Sequence, residues 1–135
     1  MKKYSARMAE NSEGDRIQEL VDPGGLFYPG LKWDQISPWW SVCLDEDRIV
    51  ACCQIIASPP IGHIEFMSLD EGLTDSQKAY AIKVLGKLAH IIMFKNNVYV
   101  ARSCIPTEMK SYKKIVKKRW GEFQFNASVY DMRHR

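Results

Sequence analysis

The sequence has 135 residues, of which 46% are hydrophobic and 26% are charged, with a formal net charge of +3. This length and composition indicate one globular domain, residues 1–135, with a core of its own. No apolar run approaches the roughly 18 residues that a membrane-spanning helix needs, which argues against a membrane partner. Because the N-terminus also lacks the apolar stretch of a signal peptide, we expect a cytoplasmic protein.

The first elements in chain order are a strand and a short helix. Residues Lys3–Ala9 alternate with a period of two, which is typical of a strand. Residues Asp15–Val21 predict a short helix, with Ser12 or Asn11 as its N-cap. The Pro and Gly residues at positions 22–25 end this helix.

Three consecutive strands are predicted in the middle of the chain. Trp39–Leu44 and Arg48–Ser58 are joined by the acidic residues 45–47, a length that suits a hairpin. Ile61–Leu69 follows through a Pro-Pro turn, so we expect the three strands to be antiparallel.

A long helix follows the third of these strands. Thr74 is its expected N-cap, and Gln77 three residues later completes a capping box. Aliphatic side chains recur at helical spacing and predict one wide apolar stripe. The predicted stripe consists of Ala81, Val84, Leu85, Leu88, Ile91 and Ile92.

The last third of the chain predicts a strand, a helix and a strand. Asn97–Arg102 reads as a strand, and Pro106 opens a helix that ends near Trp120. Phe123–Met132 alternates as a final strand does. The element order is therefore β-α-β-β-β-α-β-α-β, which indicates an α/β protein.

This order resembles that of the GNAT family of acyl-CoA N-acyltransferases over nearly the whole chain. Residues Asp45–Ala51 are similar to the family's acidic turn before an x-I-V-G/A strand, and Ile64–Leu69 to its fourth strand. Residues 120–123, Trp-Gly-Glu-Phe, resemble its helix–Gly–Phe signature. The resemblance implies a GNAT-like fold with a mixed, mostly antiparallel sheet of about six or seven strands flanked by helices. It also implies transfer of an acetyl or other acyl group from acyl-CoA to an amine of a small molecule or a protein.

The resemblance also indicates a cofactor site. The family's Q/R-x-x-G-x-G/A motif would begin at Gln77, where Tyr80 and Ile82 replace its two glycines. The residues implied to hold acyl-CoA are Met67, Ser68, Leu69, Gln77, Lys78 and Tyr80. Bulky side chains threaten a backbone cradle for phosphates, and three acidic residues, Asp70, Glu71 and Asp75, gather at the helix start. The motif is therefore degenerate, and it predicts that acetyl-CoA binds weakly or not at all.

Two residues take the catalytic positions that the resemblance implies. Glu65 lies near the place where GNAT enzymes often have a general base. Lys117 stands four residues before Gly121, where the family usually has a tyrosine as general acid. His63 and Glu65 are two residues apart on one strand, hence on one face. They are interpreted either as a base and its orienting partner or as an exposed polar pair.

Two non-enzymatic functions are also compatible with the sequence. The same fold occurs in non-catalytic binding or structural proteins, and the degenerate motif resembles small phage proteins of this type, which include virion components and host-directed factors. A phage member would reside in the host cytoplasm or the virion. Alternatively, five lysines on one helical face provide a site for nucleic acid or another acidic partner, or are simply solvated. They are Lys110, Lys113, Lys114, Lys117 and Lys118.

A metal site is not predicted. The four cysteines, Cys43, Cys52, Cys53 and Cys104, form no CxxC pair, and no spacing with histidine suggests ligands that converge. We interpret them as small apolar residues in a reducing compartment.

Overall fold

The computed structural model describes residues 3–21, 39–98, 100–104, 114 and 129–130. It begins with strand β1 (Tyr4–Met8), a 3-10 turn (Asn11–Glu13) and helix α1 (Gly14–Val21). The prediction that Ser12 or Asn11 caps this helix is wrong, because both residues lie inside the added turn. The turn is closed instead by Glu13, whose Oε1 accepts a hydrogen bond of 2.7 Å from the amide of Glu10.

The three predicted central strands are confirmed within one residue of their expected ends. They are β2 (Trp40–Asp45), β3 (Arg48–Ser58) and β4 (Ile61–Leu69), and each pairs antiparallel with the next. β1 pairs antiparallel with β2. The turn at residues 46–47 makes the expected hairpin.

Helix α2 (Asp75–Lys95) begins at the predicted N-cap. Of the predicted stripe, Ala81 and Leu85 are buried, and Val84, Leu88 and Ile92 are partly buried against the same core. The residues that the helix buries fully are Ala81, Ile82, Leu85, Gly86, Ala89 and Met93. Ile91, which was predicted to pack inward, is 52% exposed. The helix carries aliphatic residues on more than one side, and small residues such as Gly86 and Ala89 allow close approach to the sheet.

Strand β5 (Val100–Cys104) follows α2, and the two-residue strand β6 (Val129–Tyr130) is the last described element. The strands lie side by side in the order β1-β2-β3-β4-β5-β6, with β4, β5 and β6 parallel to one another. The predicted architecture, an α/β fold with a mixed sheet, is confirmed. The sheet has six described strands, at the lower end of the predicted six or seven. The predicted helix 106–120 lies outside the described residues except Lys114, which is helical and exposed.

The two helices pack on opposite faces of the sheet. α2 shares a core with side chains such as Val50, Ile55 and Ile64. α1 shares the other core with Trp40, Val42 and neighbouring residues. Each residue of a strand can therefore be assigned to the α1 face or the α2 face of the sheet by its partners.

The helices in the described part of the chain include none that is long and apolar enough to cross a membrane.

Candidate active site

The sheet opens into a fork between β4 and β5. Among the described residues, the two strands pair at three positions, Ile61–Val100, Gly62–Ala101 and His63–Arg102. Beyond this point β5 pairs with β6, whereas β4 continues beside β3 alone. Within the described residues, the β5-facing edge of residues 64–69 has no strand partner. Its backbone donors and acceptors are therefore available to a ligand that enters the fork.

A β-bulge lies on β4 just beyond the apex of the fork. Phe66 and Met67 together oppose Cys53 of β3, because Ser68 pairs with Cys52 and Glu65 with Gln54. Phe66 has a φ of 55°, a left-handed conformation that is uncommon for a residue other than glycine. The Ser68 hydroxyl donates a 3.0 Å hydrogen bond to the carbonyl oxygen of Phe66 and supports the bulge. Bulges of this kind change the direction of side chains and are frequent next to active sites.

Glu65 and His63 lie at the apex of this fork, on the α1 face of the sheet. Nδ1 of His63 is 3.9 Å from Oε1 of Glu65, and both side chains are partly exposed. Gln54, which is opposite Glu65 in the register, is buried with 8% exposure. His63 and Glu65 are therefore neighbours on one face of the sheet, as their spacing predicts, and both are accessible to solvent.

Arg102 adds a cation to this group. It is opposite His63 in the register, and its chain neighbour Ala101 packs in the core on the α2 face. Arg102 therefore faces the α1 side together with His63 and Glu65. Its Nε is buried and has no hydrogen-bond partner among the described residues. Arg102 and Gln54 were not predicted as site residues from the sequence. For Arg102 a signal exists, because it is the one charged residue in the otherwise apolar run 98–102.

The start of α2 carries the predicted capping box. The Thr74 hydroxyl accepts a 3.2 Å bond from the Gln77 amide, and the Gln77 side chain accepts a 2.8 Å bond from the Thr74 amide. The amides of Asp75 and Ser76 belong to the first turn and have no intrahelical acceptor. These two amides and the positive end of the helix dipole can bind an anion. Gln77 is exposed and Lys78 is half-buried beside them.

The acidic residues at this helix start are partly neutralised. Oδ2 of Asp70 lies 2.7 Å from Arg16 of α1 and 3.5 Å from Arg48, and these two cations offset its charge. The amide of Gly72 donates to Oδ1 of Asp70 at 2.8 Å. This backbone hydrogen bond, followed by that of Arg16, holds the pKa of the Asp70 carboxyl below its usual range. Asp75 remains exposed at the first helical position.

The side chains at the two substituted glycine positions point away from the start of the helix. The ring of Tyr80 stacks on Tyr4 of β1 at a centroid distance of 4.8 Å. The side chain of Ile82 is 2% exposed and belongs to the core beneath α2. Neither side chain covers the amides of the first turn, so the steric reason for predicting weak acyl-CoA binding is wrong.

The other predicted site residues lie as follows. Met67 and Ser68 are buried and Leu69 is half-buried, all on the part of β4 that leaves β5. Lys117 lies outside the described residues, as do Lys110, Lys113 and Lys118. Among the described residues, no group of three or more His, Cys, Asp or Glu side chains is placed to hold a metal ion. In the structure, Glu65 lies at the apex of the fork and Met67–Leu69 lie along its free edge, and α2 begins beyond the end of β4. The roles of these residues and the place of Lys117 stay predictions.

Comparison with known proteins gives no match to a family model and no match to a curated protein. Solved structures do match. N-acetylglutamate synthase from Neisseria gonorrhoeae, complexed with coenzyme A and L-arginine, is similar over 84% of this chain with a TM-score of 0.69 and 13% identity. This chain spans only 27% of that protein.

Two shorter proteins are similar over more of their own length. Diaminobutyrate acetyltransferase from Paenibacillus lautus, in complex with diaminobutyric acid and coenzyme A, matches 90% of this chain and 77% of its own, with a TM-score of 0.67 and 13% identity. A probable acetyltransferase from Staphylococcus epidermidis matches 86% of this chain and 82% of its own, with a TM-score of 0.68 and 13% identity. At such low identity these likenesses show a shared fold.

Proposed function

We propose that this chain, which has the fold of the GNAT acyl-CoA N-acyltransferases, transfers an acyl group from acyl-CoA to an amine. The observation that carries the proposal is the fork between β4 and β5, which has a carboxylate at its apex and a helix N-terminus beyond its open end. Two of the similar structures contain coenzyme A, which supports a site for the same cofactor here.

The residues of the fork fit acyl-CoA. The amides of Asp75 and Ser76 would bind its pyrophosphate, with Lys78 as the adjacent cation. The free edge of Met67, Ser68 and Leu69 would form hydrogen bonds with the amide groups of its pantetheine arm. Asp75 and the capping box oppose this binding, because the carboxylate repels phosphate and the box occupies the amide of Gln77. We therefore expect affinity below that of a family member with an intact glycine motif.

Glu65 is the residue that we assign as general base. When bound, acyl-CoA supplies the acyl group as an activated thioester. Glu65 accepts a proton from the acceptor ammonium, directly or through water, and so gives the nitrogen a lone pair with which to form the amide bond. His63 lies beside this carboxylate on the same face of the sheet, with its Nδ1 3.9 Å from Oε1 of Glu65. The attacking nitrogen would then lose its second proton to solvent, and the thiolate that leaves as the carbon–sulfur bond breaks would take a proton, which the resemblance assigns to Lys117.

The proposal is tested by acetyl-CoA binding and turnover in wild type and in Glu65→Gln. Calorimetry measures the binding of CoA, and release of the free thiol with a panel of primary amines measures turnover. We expect Glu65→Gln to bind CoA as wild type does and to lose about 10²- to 10⁴-fold in kcat/KM, as the removal of a general base does. Glu46→Gln, in the exposed β2–β3 turn, is the matched control. Full activity in Glu65→Gln contradicts the assignment of the base, and a wild type without CoA binding contradicts the proposal itself.

The non-enzymatic alternatives have less support. The similar structures named above do not support a virion or nucleic-acid role, and Lys114 alone of the five lysines is described. Nucleic-acid binding through that helix face stays a prediction of the sequence, recognisable by its steep dependence on salt.

A further inference from the structure

We infer that the acceptor of this enzyme is an amine that also carries a carboxylate, and that Arg102 binds this carboxylate. The inference rests on the proposed function and names the acceptor class for the same site.

Arg102 lies where an acceptor would have to be. It shares with His63 the last pair of residues before β4 and β5 separate. Glu65 is the next residue of β4 on the same face, a rise of about 6.6 Å along the strand. An arginine side chain is long enough to cover this distance. One small molecule can therefore contact both the guanidinium and the Glu65 carboxylate.

The guanidinium has unused hydrogen-bonding capacity. Among the described residues, the buried Nε of Arg102 has no hydrogen-bond partner, and none of the ion pairs between them includes Arg102. A buried donor without a partner is unfavourable, and a native protein normally provides one. A carboxylate fits this place because the planar fork of a guanidinium donates two parallel hydrogen bonds to its two oxygens.

The charges at the fork favour a zwitterionic acceptor. Glu65 attracts the ammonium group of the acceptor, and Arg102 attracts an anion on the other side of it. A carboxylate brings one negative charge toward Glu65, whereas a phosphate monoester brings nearly two. The arrangement therefore favours an amino acid or a similar amino carboxylate over an amine without an acidic group and over an amino phosphate.

The test measures kcat/KM with acetyl-CoA for matched acceptors. The pairs are L-alanine with L-alaninamide and β-alanine with β-alaninamide, and O-phosphoethanolamine serves as the phosphate comparison. Of the two amino acids, the one that wild type uses with the higher kcat/KM should be preferred over its own amide by at least about tenfold. A charge-assisted hydrogen bond to a carboxylate allows a preference of this size. Amidation also changes the basicity of the amine, and this effect is the same for every protein. The acid-to-amide ratio of each variant is therefore compared with that of wild type, so that the effect of basicity cancels.

Arg102→Gln is expected to lower this ratio by at least about tenfold relative to wild type and to act mainly through KM. Arg102→Lys, which keeps a positive charge without the fork, should retain part of the preference. Lys87→Gln, on an exposed position of α2, is the control. Thermal melts monitored by circular dichroism establish that each variant is folded, and Arg102→Lys keeps the test valid if Arg102→Gln does not fold.

Three results would overturn the inference while the proposed function stands. They are equal use of acids and amides by wild type, an unchanged ratio in both Arg102 variants, and a preference for O-phosphoethanolamine over the amino carboxylates. Absence of both CoA binding and turnover with every amine would instead overturn the proposed function, and the inference with it.

Discussion

Tyr80 of α2 accepts a hydrogen bond from the backbone of Tyr4 in β1, with a distance of 3.3 Å between its hydroxyl oxygen and the Tyr4 nitrogen. The same two residues stack their rings at an interplanar angle of 22°. This contact joins the first strand of the sheet to a helix that begins at Asp75, 71 residues after Tyr4. Tyr80 stands where the Q/R-x-x-G-x-G/A motif of the GNAT family has its first glycine.

The first prediction follows from this contact. Because Tyr80 and Ile82 pack inward, their replacement should affect stability and leave CoA affinity unchanged within about twofold. Ile82→Ala is expected to cost about 2–5 kcal/mol in the free energy of unfolding, as truncation of a buried isoleucine does. Urea denaturation and calorimetry with CoA measure the two effects. A gain of tenfold or more in CoA affinity in Tyr80→Gly or Ile82→Ala would mean that these side chains cover the phosphate site.

The second prediction concerns the start of α2. Thr74→Ala removes the acceptor for the Gln77 amide and should lower the free energy of unfolding by about 1 kcal/mol. Thr74→Ser keeps the hydroxyl and serves as the control. Denaturation midpoints in urea measure the difference. Equal midpoints for the alanine and serine variants would show that this hydrogen bond contributes nothing to stability.

The third prediction concerns pH. The pKa of Asp70 is lower in the folded chain than its ordinary value of 3.8, because the Gly72 amide and Arg16 favour the carboxylate. Its stabilisation is therefore complete above about pH 5 and is lost as the pH falls through the folded-state value. Asp70→Asn should cost about 1 kcal/mol at pH 7, and the difference from wild type should shrink toward pH 3.

Asp47→Asn, in the exposed β2–β3 turn, is the control for that pH series. Unfolding in urea at pH 7, 5 and 3 gives the three differences. A cost for Asp70→Asn that stays constant over this range would show that the charge of Asp70 is not the stabilising feature.

The strands and the capping box could be predicted because their signals are local. The apolar run 48–58, the turns that bound it and residues 61–69, and the spacing of Thr74 and Gln77 each involve neighbours in the sequence. The direction of α2 side chains could not be predicted in the same way. A helix that also carries exposed apolar residues, Ile91 and Phe94, gives an ambiguous pattern, and the close approach of the sheet decides which side is buried.

The candidate site was predicted only where a family motif points to it. The bond between Arg16 and Asp70 joins residues 54 apart in the sequence, and no local pattern indicates it. The pairing of His63 with Arg102 depends on the register of two parallel strands that α2 separates. The bulge at Phe66 also has no signal in the sequence, because left-handed backbone is usually marked by glycine or asparagine.

The fork also affects how the protein avoids self-association. Unpaired strand edges at the outside of a sheet recruit other chains, and proteins usually protect them with charge, proline or distortion. The free edge of β4 is an interior one, since β5 lies beside it and meets it at the pair formed by His63 and Arg102. An incoming strand would have to enter a gap that narrows to a closed apex, and the bulge at Phe66 interrupts regular pairing along it. The chain can therefore keep backbone hydrogen-bonding groups free for a slender ligand without offering a template for aggregation.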